Sequence, residues 1–417
     1  MSLTLSTERS LVRVTGGSRR HLLIRWKAPA LQQPERRPAV RVAFSLDRSG
    51  SMQGDKLRLA KEALLAALEM LDERDVFSIV TFDDQVECIC PARTATPAAR
   101  AQARAALNDV TSRSQTNLFR GFLTACETIA EGVEPGSIAR CLLLTDGQAN
   151  VEETDPTALA GYARGLRERG IGLTTFGVGT DFNEHLLRGM ADGGGGNFYY
   201  VEAASQIAGF VRRELSDVLM ISQRGVHVDV RLPAGVRAEL IGPQVVVATP
   251  TNMRIELGDL VADEVIELVV QLRFASGLDG QDASVAVVII DSDGQRAQEQ
   301  RVTWRHAGDP ANDAQARAAA VDRIVALRHA DRARAAALQH NRRRHYEEAA
   351  RVITAVMRHI RRYSAGDAIL AALVDELEGD AHRFATGMSE VDHKRTMMTS
   401  SARLRSKDST GSARREE

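Results

Sequence analysis

The chain has 417 residues, 44% of them hydrophobic, with 54 Lys and Arg against 55 Asp and Glu for a formal net charge of −1. That length can bury two or three cores, because domains usually run about 100–200 residues, and near-neutral charge excludes a global attraction to nucleic acid or to an anionic membrane. No run approaches the roughly 20 apolar residues of a membrane span and the N-terminus lacks the apolar core of a secretory signal, so the expected location is the cytoplasm.

Short strands are predicted at residues 3–7, 11–14 and 21–26, and the proline-flanked stretch 29–38 reads as a linker. From Val40 the pattern changes to apolar strands alternating with amphipathic helices, which predicts a parallel α/β sheet. Its strands are placed at 42–46, 76–82, 86–90, 140–145, 172–177 and 197–201. The helices between them are placed near 55–72, 97–108, 118–131, 156–169, 183–191 and 204–219. Cys88, Cys90, Cys126 and Cys141 are expected to be reduced thiols, since no second cysteine pair or paired histidines stand at zinc-ligand spacing.

After Leu219 the alternation of Val226, Val228, Val230 and Leu232 with polar residues marks a half-buried strand, and similar segments follow at 244–248, 252–257, 265–274, 283–291 and 298–304. A second, all-β domain is expected there, a sandwich completed by the N-terminal strands, because an isolated hairpin is marginal in water. The α/β domain is then an insertion. From Ala311 the spacing turns helical, with one helix expected to about 339, a turn at 340–343, a second helix to about 363 and a third over 367–384. The resulting divisions are 1–37 for the N-terminal strands, 38–219 for the α/β domain, 220–307 for the sandwich, 308–405 for the helices and 406–417 for a disordered tail.

One loop carries most of the chemistry. Asp47-Arg48-Ser49-Gly50-Ser51 follows the apolar run 42–46 directly, so a carboxylate and two hydroxyls stand at a strand end. Thr116 supplies a third hydroxyl and Asp146, after the apolar run 142–144, a second carboxylate. With strand order 3-2-1-4-5-6 the strands ending at Asp47 and Asp146 are neighbours at the switch point, where open α/β sheets bind ligands. Oxygen donors suit hard cations, and Mg²⁺ keeps several waters and needs few protein oxygens. Competing readings fail on detail: residues 50–56 lack the Gly-Lys-Ser/Thr ending of a phosphate loop, no Gly-x-Ser-x-Gly elbow exists, and Ser49 stands where a phosphotransferase would place a second carboxylate beside Asp47. Gly177 and Gly179, the run Gly193 to Gly196, and Asp291-Ser292-Asp293-Gly294 read as structural turns.

Asp-x-Ser-x-Ser, then Thr, then Asp resembles the metal-ion-dependent adhesion site of von Willebrand factor type A domains, and the order of domains is similar to bacterial relatives of inter-alpha-trypsin inhibitor heavy chains and calcium-activated-channel-like proteins. The resemblance implies that Ser49, Ser51 and Thr116 coordinate the metal, with Asp47 and Asp146 holding waters or hydroxyls. Mg²⁺ is the implied ion, with Mn²⁺ or Ca²⁺ as alternatives. It also implies a non-enzymatic protein-interaction module whose partner supplies a Glu or Asp carboxylate. The alternatives are a metal-dependent hydrolase, against which no general base is placed by sequence, since His185 on the helix after the fifth strand reads as a surface or capping residue, or an assembly partner of a chelatase- or chaperone-type ATPase. A separate run, 321–363, holds eleven Arg and no Lys; it reads as a solvated helix face, or as a dock for an acidic partner or nucleic acid centred on Arg342-Arg343-Arg344.

Overall fold

The computed structural model describes residues 2–31, 37–113, 115–133, 137–147, 149–408 and 411–415, which leaves part of the expected linker and of the expected tail outside the described residues. The chain forms two compact units: one holds the residues up to Ala30 together with those from Ser222 onward, and the other is Leu31–Ile221. The chain opens with β1 (Ser2–Thr7), β2 (Leu11–Arg13) and β3 (Arg19–Lys27) of the first unit.

The inserted unit follows as β4 (Val40–Asp47), α1 (Asp55–Leu68), β5 (Val76–Phe82), β6 (Val86–Thr94), α2 (Pro97–Asn108), α3 (Leu118–Ala130), β7 (Ile138–Thr145), α4 (Pro156–Glu168), β8 (Ile171–Val178), α5 (Glu184–Gly194), β9 (Gly195–Val201) and α6 (Ile207–Leu219). Its sheet has the order β6-β5-β4-β7-β8-β9, parallel except for the antiparallel edge strand β6. β4, β7 and β8 are almost wholly buried, as expected for strands covered by helices on both faces. Val42, Phe44 and Leu46 share a core with Leu57 and Leu64 of α1, Leu107 of α2 and Val211 of α6. Helix starts are set by local chemistry: the Asp155 carboxylate accepts from the Ala158 N–H ahead of Pro156, and the Asn117 side chain accepts from the Arg120 N–H.

The first unit continues with β10 (Ile221–Arg231), β11 (Val236–Leu240), β12 (Val246–Ala248), β13 (Asn252–Val261), β14 (Val265–Phe274), β15 (Asp282–Ile290) and β16 (Gln300–Ala307). Two sheets, β1-β3-β14-β11 and β12-β13-β10-β15-β16-β2, enclose a core around Trp26, Trp304, Val228 and Leu268. The all-β sandwich therefore carries the α/β unit as an insertion, with β3 paired to β14 from Lys27↔Val265 to Arg19↔Arg273.

The helices are α7 (Asp309–Ala314), α8 (Ala319–Arg342), α9 (Tyr346–Arg361), α10 (Ala368–Phe384) and α11 (Glu390–Leu404). The single helix expected over 311–339 is broken at 315–318. There Gln315 Oε1 accepts from the Ser10 and Leu11 backbone N–H groups at 3.0 and 2.9 Å, and the Ala318 N–H donates to the Glu8 carbonyl. Tertiary bonds to the N-terminal strands override helix propensity.

The tail also departs from expectation, since Ser406 is buried, its hydroxyl donates to the Glu267 carbonyl and accepts from the Glu267 N–H, and Lys407 pairs with Glu264. Many arginines of 321–363 are engaged internally: Arg323 with Asp367, Arg332 with Glu239, Arg334 with Asp331, Glu376 and Asp380, and Arg342 with Glu390.

Candidate metal centre

β4 and β7 run parallel in register from Val40↔Ile138 to Leu46↔Leu144, so Asp47 and Asp146 emerge side by side beyond the carboxyl ends. Both carboxylates are fully buried. Asp47 Oδ1 accepts from the Ser49 backbone N–H at 2.8 Å, which turns the chain at the strand end, and Thr145 Oγ1 donates to Asp47 Oδ2 at 2.5 Å. Residues 50–52 form one 3₁₀ turn that brings Ser51 back over the strand end. Ser49 Oγ and Ser51 Oγ lie 3.1 Å apart, and Ser51 Oγ donates to Asp146 Oδ1 at 2.6 Å. Asp146 Oδ2 holds the Lys56 ammonium from the first turn of α1.

Thr116 comes from the loop before α3. Its backbone N–H donates to Asn150 Oδ1 at 3.0 Å. Its hydroxyl faces Gly147, where a Cβ would lie 2.9 Å from Thr116 Oγ1 and 3.6 Å from Asp47 Oδ2. Glycine at 147 therefore keeps open a space lined by those two oxygens.

Ion pairs behind the site fix its loops. Arg48 is buried and donates to Asp83 at 3.1 Å and to Glu87 at 2.8 Å; Arg113 donates to the same two carboxylates, each at 2.8 Å. Backbone bonds add to this clamp, from the Arg113 N–H to the Arg48 carbonyl and from the Asn117 N–H to the Asp83 carbonyl. Two guanidinium groups hold the Glu87 carboxyl down to about 2, with Arg48 the larger cause. Asp47 is displaced the other way, to about 6: burial raises it, the bonds from Thr145 and Ser49 only partly offset this, and the Asp146 charge adds to the rise.

The five residues singled out from sequence thus gather beyond the carboxyl ends of β4 and β7, Ser49, Ser51 and Asp146 in one hydrogen-bond chain, Asp47 joined to it through the Ser49 N–H, and Thr116 near Asp47 at Gly147. Among the described residues, no three His, Cys, Asp or Glu side chains converge as a ligand set, so a cation here would depend on the hydroxyls. An all-oxygen donor set of hydroxyls with two carboxylates fits a hard divalent ion. His185 is on the first turn of α5 with its Nε2 3.9 Å from Glu184, consistent with a helix-surface position. Sequence reasoning missed Lys56, Thr145, Asn150 and the Arg48–Asp83–Glu87–Arg113 clamp. Thr145 adjoins Asp146 and could have been weighed, whereas the clamp joins residues 26 to 39 positions apart and leaves no local motif.

Residues 42–213 match the von Willebrand factor type A domain family. The chain is 31% identical over 261 residues to the uncharacterized protein YfbK of Escherichia coli (strain K12), covering 61% of this chain and 44% of that protein. It is also 31% identical over 156 residues to inter-alpha-trypsin inhibitor heavy chain H3 of Rattus norvegicus, covering 36% of this chain and 18% of that one. The chain therefore spans less than half the length of these curated relatives. Among solved structures, a von Willebrand factor type A protein from Catenulispora acidiphila superposes with a TM-score of 0.74 at 18% identity, over 99% of this chain and 97% of that one. The ArnB paralog VWA2 from Sulfolobus acidocaldarius does so with a TM-score of 0.59 at 16% identity, over 97% of each. These two likenesses establish a shared fold.

Proposed function

We propose, from the premise that residues 42–213 are a von Willebrand factor type A domain, that this domain docks a partner protein through a divalent cation and a carboxylate of the partner. Such domains in general mediate metal-dependent protein–protein contacts and act without catalysis. The observation that carries the reading is the oxygen chain Ser49–Ser51–Asp146 together with Thr116 Oγ1 and Asp47 Oδ2 lining the space that Gly147 leaves open.

Ser49, Ser51 and Thr116 would hold the ion, and Asp47 and Asp146 would orient hydroxyls and waters around it. When bound, the cation supplies an electrophilic position that a Glu or Asp side chain can fill. The chain's own residues do the rest. Thr145 and the Ser49 N–H aim the Asp47 carboxylate, the Arg48–Asp83–Glu87–Arg113 clamp fixes the two loops, and exposed Ser51 puts the site at the surface.

Mg²⁺ is the proposed ion, since a site built largely on neutral hydroxyls suits a cation that retains water. The test is capture of partners from a native extract on immobilised protein, with Mg²⁺ or with chelator. Capture that needs Mg²⁺ and is lost in Thr116→Ala supports the reading; capture indifferent to both contradicts it.

A further inference from the structure

On the outer face of the four-stranded sheet, β3, β14 and α8 bring three nitrogen-bearing side chains to one point. His21 and Gln271 are register partners across the β3–β14 pair and stand on the same face of the sheet. That face is covered by α8, whose Val321 and Val325 pack with Leu23 and Val269. One turn beyond Val325, His329 places its Nε2 3.4 Å from His21 Nε2, with the rings edge to face and their centroids 5.5 Å apart. The Gln271 amide nitrogen Nε2 stands 3.5 Å from the same His21 nitrogen.

The far side of His21 is fixed by Glu8, a buried carboxylate that accepts from the His21 backbone N–H at 2.8 Å and faces Nδ1 at 3.3 Å. In the neutral ring a carboxylate there favours the proton on Nδ1, which turns the Nε2 lone pair toward α8. The His21–His329 distance is long for a hydrogen bond between two ring nitrogens. It matches instead the separation of two ligand atoms on one tetrahedral ion, about 3.3–3.4 Å for metal–nitrogen bonds of about 2.0–2.1 Å.

We infer that His21 and His329 form a binding site for a borderline divalent transition-metal ion, represented by Zn²⁺, with water completing the shell. Glu8 is the positioning residue that orients His21. His329 is only partly buried, which leaves this pair of rings in reach of solvent. Two imidazoles select zinc, nickel or copper over magnesium, which separates this site from the oxygen-lined centre of the α/β unit. With two histidine ligands it is an open site, weaker than a closed structural zinc centre.

The experiment titrates Zn²⁺ against a chromophoric chelator into the full chain carrying Asp47→Ala, with Mg²⁺ in excess. One Zn²⁺ per chain is expected, with affinity lowered at least about tenfold in His329→Asn and roughly tenfold in Glu8→Gln. Cu²⁺ electron paramagnetic resonance gives a second readout: nitrogen splitting from two imidazoles, reduced in His329→Asn. Because His329 is partly exposed, that variant is expected to keep its fold, which circular dichroism checks, and it carries the test if Glu8→Gln does not fold. Absence of Zn²⁺ binding, or equal tightness in His329→Asn as binding at exposed Cys88 would give, overturns the inference.

Discussion

Lys56 sets the charge at the strand ends. Its ammonium rests on Asp146, with the lysine side chain 29% exposed and the aspartate fully buried, so it supplies the positive charge that two neighbouring carboxylates need. A cation entering the site has to displace or tolerate that ammonium. Lys56→Met should therefore strengthen Mg²⁺ binding by about tenfold, the order expected for removing a nearby like charge that water partly screens. Calorimetric titration checks this, and unchanged or weaker binding would mean that Lys56 leaves the site untouched. At this scale the sequence revealed the oxygen donors, because Asp, Ser and Thr at strand ends are conspicuous beside apolar runs. It hid the residues that aim them: Lys56 belongs to an ordinary amphipathic helix, and Arg48 occupies a position inside the motif that any residue could fill.

Elements were legible where one periodicity dominated. The six strands and the helices of the α/β unit followed from apolar runs alternating with amphipathic stretches, and the order β6-β5-β4-β7-β8-β9 is the one expected. Misses fall where the pattern is thin. β11 is five residues long at a sheet edge, and α11 buries polar residues such as His393, Lys394 and Ser400, so neither shows a clear apolar face.

The break between α7 and α8 was hidden for another reason. Its cause is Gln315 bonding to the backbone of β2, some 304 residues away. Gln315→Ala leaves the Leu11 N–H without that acceptor and should lower stability by about 0.5–1.5 kcal/mol, the net worth of a partly buried hydrogen bond. Urea unfolding checks it. A change below about 0.5 kcal/mol would show that the break is set by something else.

Across the whole chain, two units built from different periodicities carry two chemically different candidate sites, oxygen-lined at Asp47 and nitrogen-lined at His21. The central claim concerns the first: that the von Willebrand factor type A domain holds a hard divalent cation. Thermal unfolding of wild type and Asp47→Ala, each with Mg²⁺ and with chelator, tests it most directly. An ion that binds only the folded state adds RT ln(1 + [L]/Kd), about 2.7 kcal/mol at a hundredfold excess over Kd, which for a unit of this size is a rise of roughly 5–10 °C. Wild type should show that rise and Asp47→Ala should not, while keeping its circular dichroism spectrum. Equal shifts in both proteins, or none in wild type, would contradict the account.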